Sequence, residues 1–307
     1  IDAGEGKTVD VTLENVNIDA SSGAAVSVIG KGDTNIELNG NNTLTSGSSH
    51  AGLEHNKTND SGTLTITDNN NDGKLTAKAT GDYGAGIGGG NGYNGQVTIT
   101  GGEITAKGGF NGAGIGGGNY GNGTVTISGG TITEASGGGN MAAGIGGGRF
   151  GDSEIIIKDK AVIENAKGSA NGAGIGSGYQ GLGTVTIEGD AVIKNAQGGE
   201  AGAGIGSGTD GDSEIIIRGD AVIENAESSG NGAGIGSGQG DLYPDGDGMV
   251  IDPTVGNVTI EGNAKIENAK SGYGGSGIGG GAIGIGNVII RGNAQIGNAT
   301  GGDEGAG

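Results

Sequence analysis

The word "AGIG" and near copies of it return along this chain at almost constant intervals, and no other feature limits the possible folds as sharply. Aligned on the apolar residue of each copy, Val26, Leu53, Ile87, Ile115, Ile145, Ile175, Ile205, Ile235 and Ile278 form a first column. Its steps are 27, 34, 28, 30, 30, 30, 30 and 43 residues. A second column, Leu38, Ile66, Ile99, Ile127, Ile157, Ile187, Ile217, Ile260 and Ile290, follows the first by 12 residues in seven of nine copies. A third, Ile163, Ile193, Ile223, Ile266 and Ile296, follows the second by 6 each time. Self-similarity at this period marks a solenoid or related array.

Each repeat therefore holds three short segments. The second segment reads "TVTIS", "TVTIE" or "EIIIK", β-branched residues alternating with period 2 and flanked by Gly, Asn and Asp, which is strand chemistry. Helical repeats need long stretches free of glycine, and none exist here. One repeat cannot bury its apolar face alone, whereas stacked repeats bury Ala85 and Ile87, Val97 and Ile99, and Ile104 against their counterparts. The prediction is an all-β fold, a right-handed parallel β-helix of about ten coils with three strands per coil, roughly 45–50 Å long. It forms a single domain over residues 1–307. Degenerate N-terminal coils occupy 1–84, regular glycine-rich coils occupy 85–307, and a loop insertion lies near 238–255.

Composition agrees once the period is known. Glycine fills 80 of 307 positions, yet neither every third position, as in collagen, nor without order, as in a disordered chain. The net charge of −20 argues against nucleic acid or an anionic membrane as partner. No apolar run approaches the ~18 residues of a membrane span, and there is no cysteine to pair. The chain opens on a β-like segment and stops in "GGDEGAG", which is expected of a piece of something longer.

Two further columns test the stacking. The residue after the second-column isoleucine runs Lys158, Glu188, Arg218, Glu261, Arg291, so opposite charges alternate from coil to coil. Each exposed pair contributes under ~1 kcal/mol; the larger effect is on register, because a one-coil slip would set like charges together. Asn165, Asn195, Asn225, Asn268 and Asn298 predict an asparagine ladder with amides bonding up the axis.

Three strands per coil, this ladder and the "VTI-x-G" strands resemble the pectate-lyase-like right-handed β-helix. Within it, "VTLENVNID" with "AAVSV", then "TNIELNGNNTLTSG", resemble the opening coils of the non-catalytic carbohydrate-binding β-helix domains of bacterial secreted and cell-surface proteins. The resemblance implies an extracellular, secreted or surface-attached module that binds polysaccharide, with calcium as an accessory. The "GAGIGGG" coils depart from that opening pattern.

Candidate site residues follow from what the repeats vary. Tyr93, Tyr120, Phe150 and Tyr179 follow the first segment in four successive coils, which predicts a column of rings parallel to the axis. Sugars stack their apolar C–H faces on such rings, and a step of roughly 5 Å suits an extended polysaccharide; the alternative is that the rings cap the core or stack on one another. Thirteen extra residues fall in the same loop one coil further on, within "GQGDLYPDGDGMVIDPT", with Tyr243 and the acids Asp241, Asp245, Asp247 and Asp252. Several oxygens there could hold calcium. "DNNNDG", with Asp68, Asn70 and Asp72, matches the first half of a calcium loop. Its twelfth position is Ala79, so it is no EF-hand.

The glycines raise a separate expectation. With period 2, Ala113 and Ile115 face the core while Gly114 and Gly116 face outward, making a bare backbone wall; glycine there serves either a tight corner or the close approach of a ligand, a chain or a covering loop. Gly84–Gly89 fits G-x-G-x-x-G, but a strand and not a helix follows, so a dinucleotide site is excluded. Enzymatic chemistry is not expected. Lys158, Arg218 and Arg291 look matched to Glu188 and Glu261, which leaves a polysaccharide lyase without a free base, and no column pairs two acids as a hydrolase needs. His50, Glu54 and His55 form a small cluster that could bind metal. Outward threonines Thr63, Thr65, Thr67, Thr98, Thr100, Thr124 and Thr126 resemble the arrays of ice-binding solenoids, broken from Glu154 onward. A stalk or adhesin segment with a protein partner, host or cell-surface, is the reading from a different class.

Overall fold

The computed structural model describes residues 1–81, 83–245 and 248–307, with the side chains of 243–249 outside that description. Every described regular element is a β-strand. Ten coils follow one another, each contributing to three parallel rows. The first row runs from Asp2–Ala3 to Ile278–Gly279, the second from Thr8–Glu14 to Gly284–Ile290, and the third from Asn17–Asp19 to Gln295–Thr300. In the sixth coil the third-row strand is split into Val162–Ile163 and Ala166–Lys167. The first and second rows join where Asn56 and Lys57 pair antiparallel with Gly95 and Asn94.

The predicted columns are columns of neighbours. Ile87, Ile115, Ile145, Ile175, Ile205, Ile235 and Ile278 lie in direct register up the first row. Ile99, Ile127, Ile157, Ile187, Ile217, Ile260 and Ile290 do so up the second. Ile163, Ile193, Ile223, Ile266 and Ile296 do so up the third. Apart from exposed Ile290 and half-buried Ile296 in the last coil, their side chains converge in one continuous core, in which most isoleucines are wholly buried. A fully buried isoleucine contributes roughly 1.5–3 kcal/mol, and the contact is made with the coils above and below, so stability is a property of the stack. One expected register is wrong. Ile36, not Leu38, lies opposite Ile66, and Leu38 pairs back with Leu13. Both face the core, so the spacing of 12 counted from the first column selected the wrong one of two equivalent positions two residues apart.

The glycine-rich first segment is not an outward wall. In each regular coil it curls into a five-residue loop closed by a backbone hydrogen bond, Ala113 N–H to Gly117 O at 3.0 Å and Ala143 to Gly147 at 3.0 Å being examples. Ala113 and Ile115 point inward as expected. Gly114 and Gly116 are buried too. A Cβ on Gly114 would stand 2.6 Å from the amide nitrogen of Ser136, because the tail of the third segment covers it. Gly116 has φ 132° and its counterpart Gly146 φ 131°, conformations closed to side chains. The turns on either side of the segment also bond to each other across coils, Asn119 N to Tyr83 O at 2.8 Å and Tyr179 N to Met141 O at 2.9 Å. The glycines thus answer to a tight corner and to the close approach of the protein's own backbone.

The asparagine ladder is continuous. Nδ2 of Asn195, Asn225, Asn268 and Asn298 each donates to Oδ1 of the asparagine one coil earlier, at 3.3, 3.2, 3.1 and 2.9 Å. The charge column resolves into discrete pairs, Arg218 with Glu188 at 2.5 Å and Arg291 with Glu261 at 2.6 Å. Among the described residues Lys158 makes no ion pair, although its amide bonds Ile127 O in the same ladder.

Candidate binding track

The variable residues of the regular coils collect in the turn between the first and second segments. A backbone ladder fixes the alignment of these turns: Gly92 N to Asn119 O, Tyr120 N to Arg149 O, Phe150 N to Tyr179 O, Gln180 N to Thr209 O and Asp210 N to Gln239 O, all 2.8–2.9 Å. Gly92, Tyr120, Phe150, Gln180 and Asp210 are therefore equivalent positions, each with positive φ. Tyr120 and Phe150 share a position, Tyr179 sits one residue earlier, beside Arg149, and Tyr93 one residue later. Positive φ costs a side-chain-bearing residue of order 1–3 kcal/mol, so large rings here are not chosen for the turn.

Three of the four predicted rings come together. Tyr120 and Phe150 stack with centroids 5.5 Å apart and planes at 29°, and Phe150 and Tyr179 lie 5.5 Å apart at 59°. Tyr93, offset in the opposite direction from Tyr179, is half exposed and outside this stack. The Arg149 guanidinium lies 4.4 Å from the Phe150 centroid and 5.6 Å from that of Tyr120. Tyr120 remains 56% exposed, so the ring track opens to solvent at its start. Tyr83 and Phe110 form a separate edge-to-face pair with centroids 6.2 Å apart, from the turns before the first segment.

Beside the turns of Phe150 and Tyr179, and on into the next two coils, lies a cleft of about 460 Å³ lined by Asp152, Gln180, Leu182, Asp210, Asp212 and Asp252 among others. Asp241–Asp245 and Gly248–Asp252, from the insertion, pair antiparallel and bring Asp241 opposite Asp252. Asp152 and Asp212 each use one oxygen to accept the amide of the next coil, Leu182 N at 2.8 Å and Val255 N at 2.7 Å. Asp210 differs, because its buried Oδ1 has no hydrogen-bond partner among the described residues. Burial, and then the charges of Asp241 and Asp252, push its carboxyl above the ordinary aspartate range, against the polar pull of Tyr179 and Gln180. Burial, with Asp210 and Asp241 nearby, likewise raises the Tyr179 phenol, whose oxygen accepts Gln180 Nε2 at 3.2 Å.

The other predicted sites are differently arranged. Asp68 Oδ1 accepts its own turn's Asp72 amide at 3.2 Å, Asp72 Oδ1 accepts Gly40 N at 3.2 Å, and Asn70 Nδ2 donates to Asn39 at 3.4 Å. These groups tie the turn to the coil below. Among the described residues, no three His, Asp or Glu converge as metal ligands; the Tyr243 and Asp245 side chains and all of Asp247 lie outside the described residues. His50 and His55 do not share a site. His50 Nδ1 meets Glu54 Oε2 at 2.8 Å, Glu54 also accepts Asn56 Nδ2 and the Ala51 amide, and buried His55 donates Nδ1–H to Gln96 O at 2.9 Å. On the outer face of the second row the threonine array does not stop. It alternates, Thr126, Ile156, Thr186, Ile216, Thr259, Ile289, in register. Arg149 and Asp210 were missed in sequence; alignment by turn position, and not by nearest aromatic, would have placed both on the track.

A family model described as "Beta helix repeat" matches residues 71–91, 97–119 and 125–149, in agreement with the coils seen here. No curated protein matches the chain. Among solved structures, a TibC-catalyzed hyper-glycosylated TibA fragment is similar at 16% identity, over 96% of this chain and 99% of that one, with a TM-score of 0.17. A likeness that low carries no argument about this chain.

Proposed function

We propose that this β-helix is a non-catalytic, polysaccharide-binding module of a secreted or surface-attached protein, and that the ligand lies along Tyr120, Phe150 and Tyr179. The observation that carries the reading is the ring stack: three aromatic side chains spaced near the coil rise, two of them at positive-φ positions, and open to solvent at one end. The second reading, a stalk in which the rings only pack on one another, draws on the same stack, since each ring already has a neighbour. Retention on polysaccharide gels, with calcium and with chelator, tests both. Glycan binding expects Tyr120→Ala and Phe150→Ala to lose retention while the melting temperature holds. A stalk expects no retention by the parent protein and a lowered melting temperature in the variants.

A further inference from the structure

The repeat contains its own comparison for the residues beside the rings. Arg149 N donates to Asn111 O at 3.0 Å, and two coils further on Thr209 N donates to Asn171 O at 3.0 Å, so Asn111 with Arg149 and Asn171 with Thr209 are the same pair of positions. Their side chains are not in the same state. At the later pair the Thr209 hydroxyl donates to Asn171 Oδ1 at 3.1 Å. At the earlier pair an arginine stands in the place of that threonine, and the hydroxyl is missing. Asn111 is only 4% exposed, yet among the described residues its Oδ1 has no hydrogen-bond partner. The buried Nε of Arg149 has none either. An open acceptor and an open donor thus belong to one pair of bonded residues, next to Phe150, whose centroid lies 4.4 Å from the Arg149 guanidinium. We propose that Asn111 and Arg149 are the polar anchor of the ring track and that they take one hydroxyl of a neutral polysaccharide. The proposal rests on the glycan reading above and deepens it.

The two open atoms select the group. Asn111 Oδ1 can only accept a hydrogen bond, and Arg149 Nε–H can only donate one. A hydroxyl does both: it receives Nε–H on a lone pair and gives its own hydrogen to Oδ1, as Thr209 does for Asn171. A carboxylate or sulfate would satisfy Arg149 but set an oxygen against Oδ1, and the net charge of −20 would repel it. An ammonium group would satisfy Oδ1 and face the guanidinium as a like charge. Both atoms are shielded in the free protein, so the hydroxyl enters as Arg149, a long side chain that is only half-buried, swings away from Phe150. The same movement bares ring surface for the C–H face of the sugar. Asn119 precedes Tyr120 as Arg149 precedes Phe150; it too is 4% exposed with an open Oδ1, so a second buried acceptor accompanies the neighbouring ring of the stack.

The test is electrophoresis of the full chain through native gels containing β-1,3-glucan, xylan or mannan, each also in O-methylated form, with polygalacturonate as the acidic polymer. The expected result is retardation by at least one neutral polymer and about tenfold weaker binding to its O-methylated form, which keeps C–H surface and loses the O–H donors. Arg149→Thr should give Asn111 the bond that Thr209 gives Asn171, so binding should weaken about tenfold while the melting temperature holds or rises. Arg149→Ala, which leaves the acceptor open, should bind more tightly and melt lower than Arg149→Thr. Asn111→Gly, suited to the φ of 64° at that position, should make native and methylated polymer bind alike. Equal binding of the parent protein to native and methylated polymer, or binding to polygalacturonate alone, would overturn the inference and leave the glycan reading intact. Retardation by none of the polymers would sink both. If Arg149→Thr and Asn111→Gly change the melting temperature but bind as the parent does, a trapped water joins the two atoms and the inference falls.

Discussion

Four glycine-to-alanine substitutions separate the two demands that the structure places on the repeated word. Gly4 has ordinary φ and only the Lys7 side chain near, at 3.9 Å; Gly92 has φ 79° in open space. Gly144 has ordinary φ, but a Cβ there would meet Gly174 O and Lys167 N, both at 2.6 Å. Gly146 combines φ 131° with a Cβ that would overlap the carbonyl of Gly176 in the next coil. Gly4→Ala should stabilise by up to ~1 kcal/mol by restricting the unfolded chain. Gly92→Ala should cost about 1–2 kcal/mol for the left-handed backbone alone. Gly144→Ala should cost roughly 1–3 kcal/mol, as overpacking does where neighbours are backbone and cannot rotate away. Gly146→Ala carries both costs, about 3–5 kcal/mol. Urea unfolding followed by far-ultraviolet circular dichroism reads the midpoints, provided the slope is unchanged. Because a solenoid can open piecewise, hydrogen exchange in coils five to seven should show the Gly146→Ala loss centred there. If Gly146→Ala proves no worse than Gly92→Ala, or Gly144→Ala stabilises, close backbone approach is not what fixes glycine in this segment.

The remaining predictions concern polar groups. Asn225→Ala removes the bonds of Asn225 Nδ2 to Lys194 O and Asn195 Oδ1 and one of the two bonds that Asn268 Nδ2 donates, leaving it only Glu224 O, so about 1–2 kcal/mol should be lost, read by chemical denaturation. Burial lowers the His55 pKa from 6.5, so below that value the unfolded chain takes up a proton the folded chain resists. The melting temperature should fall as pH drops from about 6.5 toward the lowered folded value, and His55→Gln should flatten that slope. Asp210 has the opposite sign: its pKa is raised above 3.8, so the folded state holds the extra proton, and stability declines as pH rises from there through the raised value. Asp210→Asn should therefore raise the melting temperature at neutral pH; a lowered melting temperature would refute the account of its burial.

What the sequence made legible follows from what a stacked repeat repeats. A column of isoleucines is both a statistical period and a line of contacts, so Ile157, Ile187 and Ile217 could be placed on one another without coordinates. The asparagine ladder was legible for the same reason. Where repeats were degenerate the period failed, and Leu38 was set where Ile36 belongs, because two alternate core positions look alike from one face. The glycines misled differently. Period-2 alternation assumes an extended strand, but Ala113 to Gly117 closes on itself, and nothing in "AGIGG" announces a turn whose cover is the tail of a segment some twenty residues downstream. The buried serines were passed over as well: Ser177, Ser207 and Ser237 replace glycine in later coils and accept the amides of Gly208, Gly238 and Gly281.

The candidate site was the least legible because it is built from what the repeats do not share. A ring one residue out of register can join a stack, as Tyr179 does, or leave it, as Tyr93 does, and the outcome depends on side-chain reach across a turn with positive φ. The buried lattice of backbone bonds sets these turns in place and constrains little of what projects from them. That division has a functional consequence. Each coil's core and ladders can be conserved in geometry while one turn carries Tyr120, the next Arg149 and Phe150, the next Tyr179 and Gln180, and the one after that Asp210. A surface graded from aromatic to acidic along one axis follows from varying two adjacent loop positions coil by coil, of which the second asks only for a residue that tolerates φ near 60°.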